Sequence, residues 1–187
     1  MIIGLTGPAQ AGKSTVAEYL VRNYGFKELS FSEDVLDPIL KERGIPITKM
    51  NRSKLGDELR RKEGMDVLAR RLLTKMDYPR IVVSNFRSPE EVEFLKNRTA
   101  RFYLIRIDAD PKIRFSRRGK LDPQTEKEFF ARDERDAKNK GMEKVFKMAD
   151  YTIDNNGPLE KLYEQVDELM DEILGEEREL RLAGGEG

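Results

Sequence analysis

The sequence predicts an α/β domain: a central five-stranded parallel sheet covered by helices on both faces. Three observations carry this reading. Short apolar runs recur along the chain, separated by segments of helical pattern. The runs are nearly continuous in apolar character, as expected of strands buried on both faces. Between the first run and the first helix lies a glycine-rich loop, Gly7-Pro8-Ala9-Gln10-Ala11-Gly12-Lys13-Ser14. With 187 residues, the chain is long enough for one domain with a substantial core.

The elements follow in order. Strands are expected at residues 2–6, 26–31, 80–84, 101–107 and 150–154. A helix over 15–24 follows the loop. Residues 32–77 read as a helical insertion, with breaks near Gly44-Ile45-Pro46 and Gly64. Ser88-Pro89-Glu90-Glu91 combines a serine cap, a proline in the first turn and a glutamate three residues after the cap. Asp110-Pro111 predicts a helix start of the same kind, and Thr125 with Glu128 predicts another capping box. After Asn156-Gly157-Pro158, the residues Leu159, Leu162, Tyr163, Val166, Leu169, Met170 and Ile173 fall at helical spacing, so the last helix lays one stripe on the core. The domain is expected to span 1–175. Residues 176–187, ending Ala-Gly-Gly-Glu-Gly, read as a flexible tail.

Composition narrows the chemistry. Lys plus Arg and Asp plus Glu stand at 35 each, so bulk charge argues for neither nucleic acid nor membrane as a partner. The chain has no cysteine, which excludes disulfides, thiolate metal sites and a cysteine nucleophile. It has no histidine, which removes the usual general base. Catalysis therefore falls to carboxylates, Lys, Arg, hydroxyls and a bound metal. The first strand begins at once, with no signal peptide before it, and no apolar run reaches the length of a membrane span. The expectation is a cytoplasmic protein.

The loop has the pattern G-x-x-x-x-G-K-S in the strand–loop–helix setting that phosphate binding requires. Gly7 and Gly12 permit the tight turn. The amides from Ala9 through Thr15 are expected to face the phosphates of ATP, or of GTP, with the helix dipole aimed at the same point. Lys13 supplies charge to the β- and γ-phosphates, and Ser14 a hydroxyl to Mg²⁺.

Other candidates cluster at the carboxyl edge of the sheet, where ligands of open α/β sheets bind. Arg87 follows the third strand and is a candidate for bidentate grip on an acceptor phosphate, or for an ion pair with Glu91. Asp34, with Glu33 beside it, is a candidate to orient an attacking hydroxyl or a metal-bound water. Its alternative role is that of an acid favourable to a helix N-terminus. The third strand ends Val83-Ser84-Asn85, without the aspartate that commonly supports Mg²⁺. Arg114, Arg117 and Arg118 share one short helical segment, and Arg132 and Arg135 the next. In a lid, such arginines stabilise transferring phosphoryl charge. In a solvated helix pair they would balance Asp133, Glu134 and Asp136 instead.

Several stretches together resemble the nucleoside monophosphate kinase-like group of P-loop kinases. Leu55-Gly56-Asp57-Glu58-Leu59-Arg60 with Gly64-Met65-Asp66 is similar to a helical segment of phage-type deoxynucleoside monophosphate kinases and of archaeal dephospho-CoA kinase-related proteins. Residues 84–92, Ser-Asn-Phe-Arg-Ser-Pro-Glu-Glu-Val, resemble their motif after the third strand, although those relatives usually carry Asp or Gly near Ser84-Asn85. Residues 149–157, Ala-Asp-Tyr-Thr-Ile-Asp-Asn-Asn-Gly, resemble the strand and loop beside the ATP base, and 114–132 with Phe130-Ala131-Arg132-Asp133 resemble the lid. The resemblance implies a P-loop NTPase three-layer sandwich. Residues 32–77 would bind the acceptor, and 114–140 would form the lid. It also implies that Arg114, Asn156 and Gly157 attend ATP, that Arg60 joins Arg87 on the acceptor, and that Arg118 and Arg132 act in transfer. The acceptor is then a nucleoside or deoxynucleoside monophosphate. The alternatives are the ribose hydroxyl of dephospho-CoA, with Asp34 as base, or a nucleotide-binding regulatory protein with weak ATPase activity.

Overall fold

Five strands form one parallel sheet in the order β2-β3-β1-β4-β5: β1 Ile2–Thr6, β2 Lys27–Ser30, β3 Ile81–Ser84, β4 Phe102–Asp108 and β5 Tyr151–Asp154. The computed structural model describes residues 1–120, 122–139 and 141–183, without the side chains of 136–139 and 177–183. The central strand β1 pairs with β3 on one side and β4 on the other, with Ile2 opposite both Ile81 and Phe102. All five of its residues are buried, as its unbroken apolar sequence requires. The strands lie within a residue or two of their expected positions.

Two apolar layers flank the sheet. On one face, α1 (Lys13–Tyr24) and α9 (Leu159–Ala183) cover Ile3, Leu5, Val82, Ile105 and Ile153. Val16, Ala17 and Leu20 of α1 meet Leu162, Val166 and Met170 of α9 in that layer. On the other face, the insertion and α5 (Pro89–Arg98) cover Ile81, Val83 and Leu104. The insertion is a π-helical turn at Phe31–Leu36 followed by α2 (Asp37–Glu42), α3 (Lys49–Glu63) and α4 (Val67–Leu73). Its breaks fall at Gly44 and Gly64, both at positive φ, as expected.

Helix starts follow the sequence signals in part. Ser88 and Glu91 form the full capping box. The Thr125 hydroxyl accepts the Glu128 amide at 3.3 Å before α7 (Glu126–Asn139). Asp110, however, makes no side-chain cap on α6 (Pro111–Ser116). Its N–H is taken by the Asn156 side chain at 2.7 Å, a partner from the far end of the chain. A short α8 (Met142–Lys147) precedes β5. The last helix continues to Ala183, into the segment expected to be a tail; residues 184–187 lie outside the described residues.

Candidate active site

The phosphate loop joins the carboxyl end of β1 to α1. Gly7 (φ 139°) and Gly12 (φ 111°) both need their missing side chains. A Cβ on Gly7 would strike the Ile107 carbonyl oxygen, and one on Gly12 the Asn155 amide. The carbonyl groups of the loop are held from outside. Lys13 Nζ donates to Gly7 and Pro8 oxygens at 2.8 and 2.9 Å. Arg114 Nη1 donates to Ala9 O at 3.1 Å, and Asn155 Nδ2 to Ala11 O at 2.7 Å. With its carbonyls tied this way, the loop leaves amide groups for an anion. Burial, and then the neighbouring Arg114, push the Lys13 ammonium down to about 8, against the pull of Asp133.

Two cavities meet at Lys13 and Asn85. The first, about 540 Å³, is lined by Gln10, Gly12, Ser14 and Thr15 of the loop and by Arg117, Asn155 and Gly157. Arg117 Nη2 donates to Asn155 O at 2.8 Å, tying α6 to the segment after β5. Asn156 is not in this lining; it braces Asp110 and bonds Asp154. Asn155 and Arg117 are the stronger structural members here. Asn155 carries no signal of its own in the sequence, because the carbonyl that it holds lies 144 residues away.

The second cavity, about 210 Å³, lies between the loop and the insertion. Ser30 and Ser32 line it, with Arg52, Arg60, Ser84 and Arg87. Its arginines differ in what they are free to do. Arg60 bonds Glu91 Oε1 at 2.8 Å, and Glu91 is fully buried. Arg52 makes a two-pronged pair with Asp37 at 2.7 and 2.5 Å. Arg87 has an exposed side chain with no ion-pair partner among the described residues; only its backbone N–H reaches Glu91, at 2.9 Å. The Arg87–Glu91 ion pair weighed from sequence is therefore replaced by Arg60–Glu91. Asp34 is not in the lining of either cavity, and its carboxylate accepts the Ser30 N–H at 2.6 Å. Glu33 is exposed. Asn85 takes a left-handed φ of 69°, which asparagine tolerates better than most residues.

The lid arginines are engaged. Arg114 is buried and pairs with Asp133 as well as Ala9. Arg132 pairs with Asp122 at 2.5 Å and lies over the Phe129 ring. Asp122 also accepts from Gln10 at the loop tip, at 2.7 Å. Burial pushes the Asp122 carboxyl up, but Arg132, the Gly119 N–H and Gln10 together hold it below the usual carboxylate range. Arg118 donates to Phe115 O and sits 4.0 Å from the Phe115 ring centroid. Neither Arg118 nor Arg132 lines the two cavities, and Arg135 bonds its own helix at Ala131.

For magnesium, the donor set offers the Ser14 hydroxyl and no carboxylate in the lining of either cavity. Among the described residues, no group of three or more acids is placed to hold a metal ion. No described helix is long and apolar enough to cross a membrane.

Fold and loop together define a P-loop kinase-like domain. Residues 3–141 match the family model described as an AAA domain. A shikimate kinase from Bacteroides thetaiotaomicron superposes with a TM-score of 0.61 at 17% identity, covering 94% of this chain and 98% of that one. One from Acinetobacter baumannii, solved in complex with shikimate, gives 0.56 at 19%, covering 94% and 93%. These likenesses are of fold. In sequence, the chain is 34% identical over 179 residues to a UPF0200 protein of Methanothrix thermoacetophila, covering 92% of this chain and 97% of the relative. It is 31% identical over 182 residues to a UPF0200/UPF0201 protein of Archaeoglobus fulgidus, covering 90% of this chain but only 54%, about half, of that longer protein. The chain belongs to the UPF0200 family.

Proposed function

We propose that this protein is an ATP-dependent kinase of a nucleoside or deoxynucleoside monophosphate. The observation that carries the reading is the pair of cavities meeting at Lys13, one floored by the phosphate loop and the other holding Arg87, whose guanidinium has no ion-pair partner among the described residues. ATP phosphates replace the Gly7 and Pro8 carbonyls as partners of Lys13 and take the loop amides. Ser14 is the residue that would hold magnesium, which supplies charge neutralisation when bound. Arg87 grips the acceptor phosphate, with Arg60 behind it. Lid arginines Arg118 and Arg132 approach only if the lid segment moves, since both are engaged elsewhere in this state.

The absence of a carboxylate from both linings favours an acceptor that is already anionic, because a phosphate oxygen needs no base. Transfer to the hydroxyl of dephospho-CoA benefits from one, and Asp34 is held on the Ser30 amide. The regulatory reading draws on the same missing acid.

The experiment is ADP production by the purified protein with ATP and magnesium, alone and against nucleoside monophosphates, deoxynucleoside monophosphates and dephospho-CoA. Turnover with a monophosphate is expected. Turnover with dephospho-CoA alone, lost in Asp34→Asn with ATP binding intact, favours the second reading. Hydrolysis indifferent to every acceptor favours the regulatory one.

A further inference from the structure

Ser84 ends β3 opposite Leu5, one residue before β1 runs into the phosphate loop. By strand alternation its side chain points to the same face as Val82, the face covered by α1. It lines the proposed acceptor cavity together with Lys13, and its hydroxyl oxygen is buried without a hydrogen-bond partner among the described residues. This is the sheet-edge position at which the common pattern places a metal-supporting aspartate, and here it is neutral. Asp122 is committed to Arg132 and Gln10, Asp133 to Arg114 and Glu91 to Arg60, and Asp34 accepts the Ser30 N–H and lies outside both linings. The donor set does not fit a metal anchored on a protein carboxylate.

We propose that the phosphate site binds nucleotide polyphosphate largely independently of a divalent cation, with Ser84 as the residue that sets this. The inference rests on the nucleotide-binding reading above. Lys13 and the loop amides meet the phosphate charge directly. A metal, where present, rides on the nucleotide's own oxygens and Ser14. An aspartate at 84 would face the phosphates in a partly desolvated cleft and repel them unless a cation stood between. The neutral hydroxyl removes that demand.

Calorimetric titration of ATP into the purified full-length chain tests this, with excess magnesium and with EDTA. The wild type is expected to bind in both conditions with affinities within about threefold of each other, since no protein carboxylate needs screening. Ser84→Asp is expected to lose about tenfold or more in EDTA and to recover with magnesium. Ser84→Asn, similar in size to aspartate but neutral, is expected to behave as the wild type. It separates charge from fit, and thermal melts of all three establish that they are folded. Wild-type binding that collapses in EDTA, or Ser84→Asp that binds metal-free ATP as the wild type does, overturns the proposal. No ATP binding by the wild type in either condition overturns instead the nucleotide reading beneath it.

Discussion

The two cavities proposed for donor and acceptor meet at Lys13, yet they are built in opposite ways. The first is floored by one short loop, with Gln10, Gly12, Lys13, Ser14 and Thr15 in its lining, locked by two glycines and four tied carbonyls. The acceptor side is gathered from the ends of β2 and β3, from α3 and from Met142. Its arginines take their roles from partners far along the chain. A local motif fixes its own geometry because its backbone bonds are short-range. A dispersed site has no geometry until the sheet order brings its parts together.

The largest expected effect breaks the acceptor wall. Glu91→Ala leaves the mostly buried Arg60 guanidinium with only the looser 4.0 Å contact to Asp57 and removes half of the capping box. It should cost about 3–5 kcal/mol of stability, read from urea unfolding. A loss below about 1 kcal/mol, the range of a surface pair, would show that Arg60 is not confined by Glu91.

Next, Lys13→Ala strikes the donor side. It should weaken ATP binding by about a hundredfold, the scale of a charge-assisted contact to phosphate, while the fold survives. Wild-type affinity by calorimetry sinks the donor assignment. The lysine also carries a pH signature. Its folded value of about 8 lies below the ordinary 10.5. Between these values the folded protein binds fewer protons than the unfolded one, so ligand-free stability should rise with pH across that window. ATP affinity should fall over the same range, as the neutral amine loses its attraction to phosphate, and Lys13→Arg should remove that fall.

Arg87→Ala sharpens the division between the two sides. Removing its guanidinium should raise the acceptor KM by about tenfold, near the lower end for a bidentate charged contact, with ATP affinity unchanged. An equal loss of ATP affinity would place Arg87 on the donor side instead.

The smallest effect concerns the link between loop tip and lid. Asp122→Asn should lower stability by about 1 kcal/mol, given a mostly buried pair whose partner keeps other contacts. Because the Asp122 carboxyl is held low, its contribution is present above the ordinary aspartate value and is lost as pH falls through the depressed one. Melting curves of wild type and variant should therefore converge in acid and separate towards neutrality. A constant gap across that range would rule out the ion pair as its source.

Legibility followed sequence distance. The five strands, the Ser88–Glu91 capping box and the loop could be read because each is decided by neighbours within a few residues. Arg60 could be read only in part: it lies 4.0 Å from Asp57 on its own helix, but its closer partner is Glu91, 31 residues away. Arg114 pairs with Asp133, a partner the sequence offered, but its burial against the Ala9 carbonyl, 105 residues away, had no local signal. Asp34, weighed as a base or as an acid at a helix N-terminus, lies in the first turn of the π-helical segment with its carboxylate on the amide of Ser30.

The sequence by itself determined a parallel α/β sheet and a phosphate loop with its lysine, because apolar runs, glycine positions and caps act over one turn or one strand. Tertiary structure alone decided which arginine pairs with which acid and which carboxylates are taken. Those outcomes are set by charge pairing across strands and helices distant in sequence. Their partners become neighbours only once the sheet has closed in its order.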